Sequence, residues 1–126
     1  MCAASRRLVL LADDDESVRT MLTKFLRLRG FDVVAVRGVP EAIDAVLVHR
    51  PDAAVVDLRL QRGSGRDVVV AMPPRVPVII FTTVPEESYE LERLRPRTRL
   101  IPKPYSLIML IDHLEEMLAR ADLLKS

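Results

Sequence analysis

Ala53-Ala54-Val55-Val56 is a run of four small or β-branched apolar residues that ends abruptly on the carboxylate of Asp57. Apolar residues on consecutive rather than alternate positions suit a strand covered on both faces, as in the middle of a parallel sheet. Such a strand needs helices above and below it, so the chain is restricted to a layered α/β arrangement. In open sheets of this kind ligands bind outside the carboxyl ends of the strands. Asp57 is therefore the first candidate functional residue, and its partners are to be sought at the other strand ends.

A second continuous apolar run, Leu8 to Ala12, breaks into Asp13-Asp14-Asp15-Glu16. Val18, Met21, Leu22, Phe25 and Leu26 then recur at helical spacing until Gly30 stops the helix. Phe31 to Val36 reads as a β-branched strand, and Pro40-Glu41 opens a helix whose buried face is expected to be Ile43, Val46 and Leu47, ended by Pro51. Beyond Asp57, Gly63-Ser64-Gly65 marks a loop, and a short third helix through Val68-Val69 is stopped by Pro73-Pro74. Val76 to Phe81 is the fourth strand, closed by Thr82-Thr83, and Glu86 to Leu94 is a polar helix. Arg99-Leu100-Ile101 is a short fifth strand leading into Pro102-Lys103-Pro104. The last helix carries Leu107, Ile108, Leu110, Ile111, Leu114, Met117 and Leu118 inward. This βα alternation, five times over, predicts one domain across residues 1–126, with a core from 6 to about 121, built on a parallel sheet with helices on both faces.

The strand ends bring distinct chemistry to one edge: Asp13 and Asp14 from the first, Asp57 from the third, Thr82 from the fourth and Lys103 from the fifth. Three carboxylates so placed repel one another by several kcal/mol per pair at an effective dielectric of about 20. A cation must sit among them. Mg²⁺ suits such a site, because it takes one or two carboxylates and completes its octahedron with water, backbone oxygen and phosphate. A carboxylate left free beside it can attack phosphorus, with lysine and hydroxyl receiving charge on the phosphoryl oxygens. The product of that chemistry is an aspartyl phosphate.

Leu10-Leu11-Ala12-Asp13-Asp14-Asp15, Val55-Val56-Asp57, Ile79-Ile80-Phe81-Thr82 and Pro102-Lys103-Pro104 together resemble the receiver domain of two-component response regulators, over nearly the whole chain. The resemblance implies a flavodoxin-like (βα)5 doubly wound sheet of strand order 2-1-3-4-5. It further implies phosphorylation by a sensor histidine kinase or phosphotransfer protein. By the same match Asp57 is the phosphoacceptor, and Mg²⁺ is held by Asp13, Asp14, Asp57 and the backbone carbonyl of Arg59. Thr82 binds a phosphoryl oxygen and acts as a switch, Lys103 pairs with the phosphoryl group, and the Lys103-Pro104 bond is cis. Output is expected through protein contacts of the face built from helix four, strand five and helix five, which is also the surface for a dimer.

The chain departs from the family pattern at four places, one of which is a shortened interval from Asp57 to Thr82 that goes with the short third helix. Leu60-Gln61 stands where Met-Pro is frequent, leaving the loop after Asp57 less constrained. Leu100 occupies the switch position three before the lysine, where an aromatic residue is common, and Thr83 replaces a small residue beside the site. Gly65 matches.

Other functions are disfavoured by what surrounds these residues. Apolar residues make up 49% and charged residues 29% of 126, which excludes a disordered chain. With 19 basic and 18 acidic residues, a net of +1, no global field attracts nucleic acid or an anionic membrane. Arg93, Arg95, Arg97 and Arg99 form a local basic cluster without interleaved aromatics, which reads as a solvated face or a docking surface for an acidic partner rather than a nucleic-acid surface. His49 and His113 lack metal-ligand spacing, and no glycine loop for a nucleotide is present. Arg59 has no proton to give to a leaving group, which argues against a phosphohydrolase that would use an acid two residues after the nucleophile. No apolar run approaches a membrane span or signal-peptide core, and the single Cys2 reads as a frayed N-terminal thiol, so a cytoplasmic location is expected. Three readings remain open: a stand-alone phosphorylated receiver, the receiver portion of a larger regulator or hybrid kinase, and a receiver-like binding module that acts without phosphorylation.

Overall fold

The computed structural model describes residues 6–124, so Cys2 lies outside the described residues. Five parallel strands form the central sheet: β1 (Leu8–Ala12), β2 (Asp32–Val36), β3 (Ala53–Val56), β6 (Val78–Thr82) and β7 (Thr98–Pro102). Their order is β2-β1-β3-β6-β7, which is the predicted 2-1-3-4-5. The fully buried strands β3 and β6 carry continuous apolar runs, whereas the edge strand β2 holds only exposed and half-buried residues.

Two cores result, one on each side of the sheet. Helices α1 (Glu16–Leu28) and α5 (Leu107–Leu124) cover Val9, Leu11, Val55 and Ile79 with Leu22, Leu26, Leu110, Ile111 and Leu114. Helices α2 (Val39–His49) and α3 (Gly65–Ala71) cover Leu10, Ala54, Val56 and Ile80 from the other side. Alternate residues of each strand thus serve opposite cores.

Several boundaries and faces differ from the sequence expectation. Phe31 is buried but precedes β2, and β6 starts at Val78 because Pro77 has no amide to give and Val76 turns back to the Pro73 carbonyl. Leu47 is 71% exposed. The sheet-facing side of α2 consists of Val39, Ala42, Ala45 and Val46, whose small alanines let the helix approach closely and turn Leu47 outward. Met21 and Ile108 are likewise on the wet sides of α1 and α5. The helix expected over Glu86 to Leu94 is broken into a 3₁₀ turn, Pro85–Glu87, and a short α4, Tyr89–Leu94. Buried Ser88 marks the break, its hydroxyl donating to the Pro85 carbonyl at 3.1 Å. A small antiparallel hairpin, β4 (Arg59–Leu60) and β5 (Gly63–Ser64), follows Asp57. Its turn places Arg62 at φ 61° and Gly63 at φ 140°, the latter a region suited to glycine alone.

The arginine cluster also changes character. Arg95 donates to the carbonyls of Pro73, Val76 and Pro96 at 2.7, 3.1 and 3.1 Å and to the Thr98 hydroxyl at 2.9 Å, and burial lowers its pKa. Arg97 donates to the Arg75 carbonyl, and Arg99 pairs with Glu116. These side chains stitch the α3–β6 and α4–β7 loops and the β7–α5 contact, so the cluster is not the open solvated face that its composition suggested. Replacing Arg95 with alanine leaves several carbonyls without that donor and is expected to cost about 1–3 kcal/mol in urea unfolding. Arg93→Ala, on the exposed side of α4, is expected to stay within about 0.5 kcal/mol.

Candidate functional site

Register brings the acids together. Ala12 pairs with Val56 across β1 and β3, and the Asp57 amide donates to the Ala12 carbonyl at 2.8 Å, so Asp13 and Asp57 leave adjacent strands side by side. On the other flank Thr82 pairs with Pro102, and the Lys103 amide donates to the Thr82 carbonyl at 2.8 Å. Lys103 thus enters from the far strand toward both aspartates. Its Nζ donates to Asp13 Oδ2 at 2.8 Å and to Asp57 Oδ2 at 2.9 Å. The Lys103-Pro104 bond is cis, as expected.

Each residue of the Asp13-Asp14-Asp15 run has a different setting. Asp15 is the N-cap of α1, accepting from the amides of Ser17 and Val18. Asp13 is buried, and its Oδ1 accepts from the Asp15 amide at 2.9 Å. Asp14 is exposed. Carboxylate oxygens of Asp13, Asp14 and Asp57 lie within 4.8 Å of one another. Against these three negative charges stands one ammonium, leaving a formal deficit that a dication would neutralise, and the donors are the hard oxygens such an ion prefers. The donor set therefore fits Mg²⁺.

Burial is the largest influence on Asp13 and raises its pKa, against the hydrogen bonds from Lys103 and the Asp15 amide. Burial acts on Lys103 as well, favouring its neutral form, but the hydrogen bonds and charges of Asp13 and Asp57 outweigh it and its pKa is raised. The Lys103 ammonium also lies 5.3 Å from the centroid of the Phe81 ring.

Thr82 is fully buried at the end of β6, its Oγ1 accepting from the Val84 amide at 3.2 Å. Thr83 is exposed beside it. The Arg59 amide donates to Asp57 Oδ1 at 3.1 Å, while its side chain is exposed. Leu100 is half-buried, packed against the α2–α3 side core, and its amide donates to Glu92 Oε2 at 2.6 Å. Neither the Glu92 contact nor the Phe81 contact was apparent in the sequence, because both join residues of unrelated local pattern.

Gly65 is a further position that the sequence marked only as a match. A Cβ there would lie 2.0 Å from the Asp57 carbonyl oxygen, and the Gly65 amide donates to the Leu58 carbonyl at 2.9 Å. The start of α3 can approach the Asp57 backbone this closely only without a side chain.

The family model described as the response regulator receiver domain matches residues 9–115. The chain belongs to the response regulator receiver family. Its relatives include the transcriptional regulatory protein PdtaR of Mycobacterium tuberculosis, 29% identical over 123 residues that make up 94% of this chain and 60% of that protein. Response regulator MprA of a Mycobacterium species is 28% identical over 116 residues, 89% of this chain and 50% of MprA. The receiver chain thus spans about half to three fifths of the length of these two relatives. Among solved structures, the non-phosphorylated HemR receiver domain of Leptospira biflexa is similar with a TM-score of 0.78 and 26% identity, covering 90% of this chain and 95% of that one. A response regulator receiver protein of Sinorhizobium medicae shares the fold at a TM-score of 0.84 and 23% identity, covering 94% and 99% of the two chains. The receiver domain is a signalling module of two-component systems, and the Asp13, Asp14 and Asp57 carboxylates form an acidic group of the kind in which receivers bind Mg²⁺. Among the described residues no helix is long and apolar enough to cross a membrane.

Two measurements check this receiver site. Gly65→Ala is expected to lose about 1–3 kcal/mol of stability through overpacking at the Asp57 backbone, read from chemical unfolding. For Lys103 the folded pKa exceeds the unfolded one, so its stabilising contribution is complete below the unfolded lysine value of 10.5 and is lost as pH rises through the folded value. Without divalent ions, Lys103→Met is therefore expected to show a shallower loss of thermal stability above about pH 10 than the parent.

Proposed function

We propose that this receiver accepts a phosphoryl group on Asp57 from a sensor histidine kinase or phosphotransfer protein and changes its protein contacts in response. The observation that carries the reading is Lys103 Nζ held at 2.9 Å from a buried Asp57 and 2.8 Å from Asp13, with Thr82 at the neighbouring strand end. In this reading Asp13, Asp14, Asp57 and the Arg59 backbone carbonyl hold Mg²⁺, which when bound neutralises charge on the phosphoryl oxygens. An Asp57 oxygen attacks phosphorus, the bond from phosphorus to the donor breaks, and the departing group carries away the electron pair. Lys103 then exchanges a carboxylate partner for a phosphoryl oxygen, and the Thr82 hydroxyl turns from the Val84 amide to another.

Residues 1–126 act as one domain in this proposal, with its core from 6 to about 121. The module reads its partners by protein contact, without direct nucleic-acid or membrane binding, and works in the cytoplasm. The output face is α4, β7 and α5, the face through which a dimer would form. Support for this choice is that Thr82 leads through Val84 directly into the 3₁₀ turn and α4, neither of which contributes a buried residue. With Leu100 in place of an aromatic, the link from α4 to β7 is the Glu92 carboxylate on the Leu100 amide.

Intact mass after incubation with Mg²⁺ and acetyl phosphate tests the chemistry. One phosphoryl increment is expected on the parent, none on Asp57→Asn, and none with a chelator. An unmodified parent that also leaves the donor unconsumed would overturn the proposal and favour a binding module that acts without phosphorylation.

A further inference from the structure

The two edges of the sheet differ in how they are finished. At β7 the outward amide of Leu100 is taken by the Glu92 side chain, and Pro102 has no amide at all. At β2 nothing comparable is present among the described residues. The Asp32 amide donates to the Arg7 carbonyl and the Val36 carbonyl accepts from the Asp13 amide, so residues 32, 34 and 36 face β1. Alternation then turns the amide and carbonyl groups of Val33 and Ala35 outward, on a strand that contains neither lysine nor proline.

That edge already accepts an extended segment one step further on. The Gln61 amide donates to the Arg37 carbonyl at 3.1 Å, the Val39 amide donates to the Gln61 carbonyl at 2.9 Å, and Gly38 and Gln61 form a parallel bridge. Gln61 therefore marks the far end of the line of an outer strand, and the positions beside Val33 and Ala35 lie on that line before it. Beside them lies a concavity of about 600 Å³ between α1 and the strand, lined by Arg19, Lys24, Arg27 and Ala35. The hydroxyl of Thr23, which also lines it, is buried without a hydrogen-bond partner.

We propose that the outer edge of β2, with the basic face of α1 above it, binds an extended acidic peptide segment of a partner protein as a sixth strand. Backbone pairing at Val33 and Ala35 supplies the register, and alternate side chains of the incoming strand point toward α1, where carboxylates meet Lys24 and Arg27. A second copy of this chain fits less well. Pairing β2 with β2 would bring two sets of Arg19, Lys24 and Arg27 to the same junction, with only Asp32 of each strand to offset them. The inference is independent of the chemistry at Asp57.

The probe is a fluorescein-labelled, terminally blocked peptide of alternating valine and glutamate, titrated by anisotropy against the full chain, with an alternating valine-lysine peptide as comparison. Binding of the acidic peptide alone is expected, with slowed hydrogen exchange at the Val33 and Ala35 amides in nuclear magnetic resonance spectra. The double variant Lys24→Glu, Arg27→Glu changes exposed side chains only and is expected to weaken binding by at least about tenfold, the size that two partly screened charge contacts supply. The proposal is overturned if the acidic peptide does not bind the parent, if the lysine peptide or the reversed variant binds equally well, or if Val33 and Ala35 exchange unchanged in the complex. Protection of those amides in the free protein together with a dimer in sedimentation would assign the edge to self-pairing instead.

Discussion

Parallel strands in register end at the same height, and this alignment sets the terms for everything at the carboxyl edge. Because Ala12 pairs with Val56, the residues that follow, Asp13 and Asp57, emerge as neighbours with their carboxylates buried. Burying two acids side by side costs several kcal/mol unless a cation and hydrogen bonds accompany them. Lys103 supplies the cation from β7, two strands away from β3, and the Asp15 and Arg59 amides supply two of the hydrogen bonds. Asp15 in turn caps α1, placing the positive end of that helix beside the acids. The same alignment that makes the sheet makes the site, and neither could be changed by one residue without moving every side chain to the opposite face.

Close backbone approach is the second condition. The β4–β5 hairpin and the start of α3 return to the Asp57 strand end, where Gly65 alone leaves room for the carbonyl. The short α3 follows from Pro73-Pro74, and the loop after it is held by Arg95, whose guanidinium joins the α3–β6 and α4–β7 loops through several carbonyls.

Fold and site were legible in the sequence to different depths for physical reasons. The buried strands declare themselves because a surface covered on both faces needs an unbroken apolar run, and the acids at their ends follow from the run's abrupt close. Helix faces were less legible: Leu47, Met21 and Ile108 are apolar yet exposed, and for Leu47 the reason is that the alanines at 42 and 45 set how α2 lies on the sheet. The division of the polar region after Thr82 into a 3₁₀ turn and α4 depends on the Ser88 hydroxyl turning back onto Pro85, which no periodicity signals. Tertiary hydrogen bonds such as Glu92 to Leu100, or Gln61 to the end of β2, join residues far apart in pattern and were invisible until the chain was folded.

The region between Thr82 and Leu100 is where a change at the acidic edge has the least to overcome. Neither the 3₁₀ turn nor α4 contributes a buried residue, while β6 before them is wholly buried, so stability falls sharply just past Thr82. Among the described residues two side-chain hydrogen bonds tie the 3₁₀ turn and α4 to the rest of the fold, Arg66 to the Glu87 carbonyl at 2.7 Å and the Leu100 amide to Glu92, beside the half-buried Val84 and Leu91 on the α2–α3 side core. An aromatic ring at position 100 would report the state of the site by choosing between buried and exposed rotamers. Leucine has no such large polar-tipped lever, and its half-buried side chain stays with the core on the α2–α3 side. In the function proposed above, coupling from Thr82 to the α4–β7–α5 face would therefore rest on displacement of α4 itself, with the Glu92 carboxylate releasing or keeping an edge-strand amide. A switch of that kind would uncover backbone hydrogen-bonding groups at β7 beside the exposed Tyr89 and Leu94 of α4, and so alter both the shape and the chemistry that a partner meets.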